Sequence, residues 1–183
     1  MKKTIIDAGH GGEDPGAISE KLREKDLTLK IALYTEEHLK NNYEVEVKMT
    51  RRNDVFVSLN DRAKIANRFK ADLFVSIHIN SSINGTGFES FIYTDTGEQT
   101  FQFQKILHNE IEAALAVEGS FKNRGLKRAN YFVLKKTNMP AILTENLFID
   151  LDAGYLSSEE FLKNIGVAHA RGIAKCLNLP EKI

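Results

Sequence analysis

Asp72-Leu73-Phe74-Val75-Ser76-Ile77-His78-Ile79 is the stretch that decides the architecture. From Leu73 onward only Ser76 and His78 interrupt an apolar run. A strand with one wet face alternates polar and apolar residues, whereas a strand covered on both faces does not. The run therefore predicts the central strand of a sheet with helices on both sides. His78, at its end, is out of keeping with that burial.

Working outward, Ser58 reads as an N-cap and Leu59 to Phe69 as the helix that precedes this strand. Further upstream, Glu44 to Met49 alternates, with Val45, Val47 and Met49 on one face, and predicts a strand. Residues 25–41 carry a helical stripe through Leu27, Ile31, Leu33, Tyr34 and Leu39. Thr4-Ile5-Ile6 is a short buried strand running into the glycine loop Asp7-Ala8-Gly9-His10-Gly11-Gly12.

Downstream, Gly87 to Tyr93 predicts a strand and Thr100 to Val117 a helix. Tyr131 to Leu134 and Ala141 to Leu143 predict short strands, and Phe161 to Leu177 a closing helix. Strands alternating with helices define an α/β fold with a mostly parallel sheet between helical layers. No repeat or low-complexity linker divides the 183 residues, so a single domain over residues 1–183 is expected.

Lys plus Arg and Asp plus Glu each number 25, so the formal charge is zero. That balance lacks the basic footprint of a nucleic-acid binder. No apolar stretch approaches the length of a membrane span. Met1-Lys2-Lys3 starts basic, but the apolar run after Thr4 is only Ile5-Ile6, too short for a signal peptide. The expectation is cytoplasmic synthesis with release on lysis, or a chain shortened of its leader. Cys176 is the one cysteine and reads as a small buried residue of the last helix.

In α/β sheets, ligands sit beyond the carboxyl ends of the strands. Three such ends carry chemistry: Asp7–His10, His78–Asn80 and Thr144–Asn146. Neutral imidazole is the commonest metal ligand, and His10 and His78 stand at two of those ends. Catalytic zinc takes three protein ligands and leaves one position open. Two histidines and a carboxylate make such a set, the carboxylate coming from Asp7, Asp14, Glu24, Asp26, Glu89 or Glu145. Glu24 and Asp26, beside the start of the first helix, are equal candidates on these grounds, and both also suit helix capping.

Glu145 follows the buried-looking Pro140-Ala141-Ile142-Leu143-Thr144. A carboxylate there needs a partner or a role, and a general base for activated water is one. Asn80 is a candidate substrate-binding residue, with loop capping as the alternative. Arg62 reads as an ion-paired tie between a helix and the glycine loop. His38, His108 and His169 fall in helical patterns and read as surface or core residues.

Taken together, the segments resemble the family-3 N-acetylmuramoyl-L-alanine amidases. The resemblance rests on Asp7 to Gly12 with Asp14-Pro15-Gly16-Ala17, on Glu24-Lys25-Asp26, and on Arg51-Arg52 with Leu59-Asn60-Asp61-Arg62. It continues through Ser76-Ile77-His78-Ile79-Asn80, Gly87 with Glu89, Asn123 to Asn130, and Thr144-Glu145-Asn146-Leu147-Phe148-Ile149. It looks closest to sporulation amidases of bacilli that lyse the mother-cell wall and to related phage lysins.

That resemblance implies a single three-layer α/β domain with a mixed, mostly parallel sheet of about six strands. It implies one Zn2+ held by His10, Glu24 and His78, with Glu145 as catalytic residue, which decides between Glu24 and Asp26. The implied substrate is peptidoglycan, cut between the lactyl group of N-acetylmuramic acid and L-alanine. A monomer acting on the cell wall is expected, without membrane insertion or nucleic acid. Relatives often carry a wall-binding module that these residues lack. Leu147 departs from the family, which usually has glycine there, and is expected to reshape the crevice wall.

Overall fold

The computed structural model describes residues 1–19 and 21–182. The strands are β1 (Lys2–Ala8), β2 (Ile18–Ser19), β3 (Leu22–Arg23), β4 (Val45–Met49), β5 (Leu73–Asn80), β6 (Phe88–Ile92), β7 (Asn123–Arg128) and β8 (Ala141–Phe148). The helices are α1 (Glu24–Asn42), α2 (Leu59–Phe69), α3 (Glu98–Glu118), α4 (Phe132–Lys136), α5 (Ala153–Leu156) and α6 (Glu159–Leu177). Six strands form one sheet in the order β4-β1-β5-β8-β6-β7, and β2 pairs with β3 as a small hairpin. Every neighbour pair in the large sheet is parallel except β6 and β8.

Alternation along the strands sorts their residues between two layers. Ile6, Val75, Ile77, Ile79 and Ile142 enter a core with α1, α3 and α6. Ile5, Phe74, Phe91 and Leu143 point the other way and pack with Ala66 of α2 and Val133 and Leu134 of α4. The second layer is thinner, since α4 has only five residues. Past the end of that cover the sheet face lies open, and the odd- and even-numbered residues that share it decide what the opening contains. They are Asp7, Ser76 and His78 on adjoining strands, with Glu145 next to His78 in the β5–β8 register.

Two expectations change. Tyr131–Leu134 is not a strand: Phe132 opens α4, and Val133 and Leu134 are both buried beneath it. Adjacent apolar residues buried together suit a helical turn on a core, and a short apolar run does not distinguish the two by periodicity. The sixth strand of the sheet is instead β7, Asn-Arg-Gly-Leu-Lys-Arg, a largely exposed edge strand. Edge strands are charged by preference, which is why its sequence lacked a strand signature.

The buried polar groups at the end of β1 are tied. Arg62 donates to Asp7 Oδ1 at 2.8 Å and to the backbone carbonyls of Ala8 and His10, each at 2.6 Å, so α2 holds the end of β1 as an ion-paired tie. Thr50 and Ser76 donate their hydroxyls to the same Asp7 carboxylate. Burial opposes ionisation of Asp7, but Arg62 and these hydroxyls outweigh it and hold its carboxyl below the usual range. Cys176 is buried, and burial pushes its thiol up to about 12. Among the described residues, no helix is long and apolar enough to cross a membrane.

Candidate metal centre

His10 leaves the end of β1 with φ of 60°, in the left-handed region. Non-glycine residues rarely adopt it, and such strain concentrates at functional sites. The turn throws the ring back over the start of α1. Glu24, the first residue of α1, is 4% exposed and lies beneath the ring. His78 comes from β5, beside it.

The three side chains converge. Glu24 Oε1 lies 3.1 Å from His10 Nε2 and 3.0 Å from His78 Nδ1. One nitrogen of each ring and one carboxylate oxygen all fall within 4.8 Å of one another. Glu24 is also fixed by two backbone amides, Ile79 N to Oε1 at 3.0 Å and Ala17 N to Oε2 at 2.8 Å. Burial opposes its charge, but the bonds to His10 and His78 prevail and hold the carboxyl far below its ordinary value. Burial likewise opposes protonation of His10, and Glu24 and Asp14 overcome it, raising the imidazole's proton affinity.

Asp14 Oδ2 accepts from His10 Nδ1 at 2.8 Å. A metal-ligating histidine commonly gives its second nitrogen to a carboxylate, which fixes the ring and its tautomer. His10 is thereby left with Nε2 for a metal. Two nitrogens and one oxygen, already clustered and supported from behind, suit zinc, which takes such mixed sets. Asp26 pairs with Arg23 at 2.6 Å on the exposed side of the helix start and takes no part.

Glu145 is the fourth group. It stands opposite His78 across β5–β8 and opposite Glu89 across β6–β8. Its Oε2 is shielded from solvent and has no hydrogen-bond partner among the described residues. Burial, offset in part by the His78 charge, pushes the carboxyl up to about 7. Glu89, by contrast, is compensated by Arg124, Lys127 and Asn80. Asn80 is partly engaged: Nδ2 donates to Glu89 at 2.8 Å and Oδ1 accepts from Ser81 N at 2.8 Å, which leaves a second Nδ2 hydrogen.

A cleft of about 480 Å³ joins these groups, with His10, His78, Asp7, Arg62 and Glu145 at its floor. Its walls are apolar: Phe56, Val57 and Leu59 on one side, Tyr131, Phe132 and Val133 on the other. In the sequence these wall residues read as ordinary loop, helix and strand apolar positions. Leu147 is not a wall residue. It is fully buried in the core that the sheet shares with α1, α3 and α6, with φ of 70° at a bulge that lets Asn146 and Leu147 together oppose Ile79. The expected reshaping of the crevice is therefore replaced by a backbone explanation: left-handed φ is where glycine sits without strain.

His108 and His169 are core residues. His108 bonds Ser90 Oγ and Asn123 Oδ1, and His169 bonds Ile165 O and Thr144 Oγ1.

Fold and site define a class: α/β proteins with a histidine–carboxylate–histidine cluster and an unpaired carboxyl in one cleft at the strand ends. Residues 4–175 match the family model described as N-acetylmuramoyl-L-alanine amidase, and the chain belongs to that family. It is 49% identical to the endolysin of Bacillus phage SPP1, aligning over 100% of this chain and 69% of that protein. It is 47% identical to the sporulation-specific N-acetylmuramoyl-L-alanine amidase of Bacillus subtilis (strain 168), over 99% and 70% respectively. The catalytic domain of the amidase CwlV from Bacillus (Paenibacillus) polymyxa var. colistinus has a TM-score of 0.90 at 35% identity. It covers 98% of this chain, which covers all of that domain.

Proposed function

We propose that the chain hydrolyses peptidoglycan at the amide between the lactyl group of N-acetylmuramic acid and L-alanine. In this reading one zinc ion is held by His10 Nε2, Glu24 and His78, and Glu145 is the general base. The observation that carries it is the solvent-shielded Glu145 Oε2, unpaired among the described residues and in the same cleft as His10 and His78. A buried carboxylate oxygen without a donor is costly unless chemistry uses it.

Zinc bound at this cluster would supply Lewis acidity, bringing the pKa of water to about 7 and polarising the amide carbonyl. Glu145 Oε2 takes the proton of the attacking water and delivers it to the leaving alanine nitrogen. Burial raises this carboxyl's proton affinity, which favours uptake of the proton from water. Asp14 holds the His10 imidazole in place through Nδ1, and the apolar walls limit the water that reaches the bond. Asn80 Nδ2 donates one hydrogen to Glu89 and keeps its second N–H for the substrate, so it both orients the site and binds.

The test is incubation with purified peptidoglycan, with and without a chelator. New L-alanine amino termini without new reducing sugar ends, lost on chelation and restored by zinc, are expected. Cleavage of free peptides alone would replace this reading with an exopeptidase.

A further inference from the structure

The two lips of the cleft are both apolar, yet they differ in chemistry. Around the start of α2, Phe56 and Leu59 are 51% and 55% exposed; at the start of α4, Tyr131 and Phe132 are 41% and 38% exposed. Exposed apolar side chains gathered at one cleft mouth mark a binding surface. Of these four, only Tyr131 carries a polar atom.

Its ring is not free to wander. It packs edge-on against Phe91 of β6, with centroids 5.3 Å apart. Phe91 is two residues along from Glu89, so the two share a sheet face, and Glu89 is the direct partner of Glu145. The ring is thus anchored beside the strand pair that carries the unpaired carboxyl, and it lines the same cleft as His10, His78 and Glu145. Burial, with the Glu145 and Glu89 charges acting on the phenol, pushes its ionisation above the ordinary value. The hydroxyl is kept as a donor and is unsuited to act as a base.

We propose that Tyr131 is a further catalytic residue, its phenol O–H donating a hydrogen bond to the substrate carbonyl oxygen as that oxygen gains negative charge. The role rests on the amide-cleaving reading above. A donor aimed at developing charge accelerates the chemical step without tightening ground-state binding. Phe132 and Phe56 supply apolar surface and have no such group.

Tyr131→Phe keeps the ring and its packing on Phe91 and deletes only the donor. With a soluble muramoyl-peptide fragment as substrate, kcat is expected to fall on the order of 100-fold with KM nearly unchanged. Zinc content should match the parent. In a Glu145→Gln background, calorimetric binding of the fragment should be the same with Tyr131 or Phe at this position. An unchanged kcat, or a rise confined to KM, overturns the proposal. So does an effect seen only as a displaced pH profile, which would make Tyr131 a positioning group for Glu145. A parent protein that releases no L-alanine amino termini instead overturns the amidase reading itself.

Discussion

His78 and Glu145 are direct neighbours on the parallel strands β5 and β8, one with its ring nitrogen on a carboxylate, the other with a carboxylate oxygen unpaired among the described residues. The pairing puts a candidate ligand and a candidate base side by side on the sheet face that α2 and α4 leave open. The bulge just beyond them changes the register between His78 and Asn80. Bulges recur beside active sites, where they re-aim side chains.

Glu145→Gln preserves shape and removes the proton acceptor. The amide-cleaving rate is expected to fall by about 10²- to 10⁴-fold, with zinc content by atomic absorption unchanged. The variant also reports on the burial of the charge. A carboxyl raised to about 7 from 4.5 favours the folded state fully at low pH, and that advantage is lost as pH rises through about 7. Metal-free parent protein should therefore lose about 3 kcal/mol relative to Glu145→Gln between pH 4.5 and 7. Parallel stability curves for the two proteins would count against the raised carboxyl.

Metal loading should stabilise the fold. With free zinc at 100 times its dissociation constant, binding adds about 2.7 kcal/mol, or roughly 5–10 °C in the thermal midpoint for a domain of this size. Glu24 sits 3.0–3.1 Å from both imidazoles, so His10→Ala and His78→Ala should each abolish most of the shift. Asp26→Ala should leave it intact. A full shift in His78→Ala would remove that residue from the ligand set.

Gly9 is held to glycine by the site itself. A Cβ there would lie 2.5 Å from His78 Cε1, nearer than atoms can approach. At Gly16, with φ of 65°, a Cβ would lie 2.6 Å from Glu24 Oε2 and 2.7 Å from His10 Cδ2. Gly9→Ala should weaken zinc binding at least about tenfold by displacing a ring, as loss of outer support does, while far-ultraviolet circular dichroism stays constant. Gly97→Ala, with nothing within 4 Å of the added carbon, is the control. Equal zinc affinity in both variants would mean that the ring has room to give.

The sequence brought the candidate ligands together more readily than it placed every strand of the sheet. His10 and His78 could be paired because parallel strands deliver their carboxyl ends to one edge. Glu24 could not be separated from Asp26 by position alone; only the folded helix start shows one buried under His10 and the other out with Arg23. β7 was hidden because an edge strand has one side to bury and keeps its charges. The apolar lips were hidden because exposure, not composition, sets Phe56 and Tyr131 apart from core aromatics.

Leu147→Gly sets two effects against each other. Glycine relieves a left-handed φ, a gain of about 1–2 kcal/mol. It also empties a fully buried leucine site, a loss of about 2–5 kcal/mol for truncation to alanine. The cavity wins, and urea unfolding should give a net loss of about 1–3 kcal/mol. Because the side chain belongs to the core shared with α1, α3 and α6 and does not line the cleft, kcat/KM should stay within about twofold of the parent. A variant as stable as the parent but altered in substrate preference would return Leu147 to the crevice wall.

His169 provides a pH probe on the far side of the sheet. It is fully buried in α6, with Nδ1 donating to Ile165 O at 2.8 Å and Nε2 placed to accept from the Thr144 hydroxyl at 3.0 Å. Thr144 Oγ1 in turn accepts from Asn146 Nδ2, which also donates to His78 O. Burial drives the imidazole down to about 4, outweighing the bond to Ile165. The unfolded chain binds this proton near pH 6.5 and the folded chain does not until about 4. Stability is therefore whole above pH 6.5 and drains away as pH falls towards 4. The slope is about 1.4 kcal/mol per pH unit and the total about 3 kcal/mol. His169→Gln should be less stable at neutral pH, having lost a fitted ring, yet its stability should fall less steeply across this window. Denaturant titrations at several pH values compare the slopes. If the parent and the variant fall in parallel, His169 is not neutral in the fold, and the Thr144–Asn146 relay behind His78 must be arranged around a charged ring.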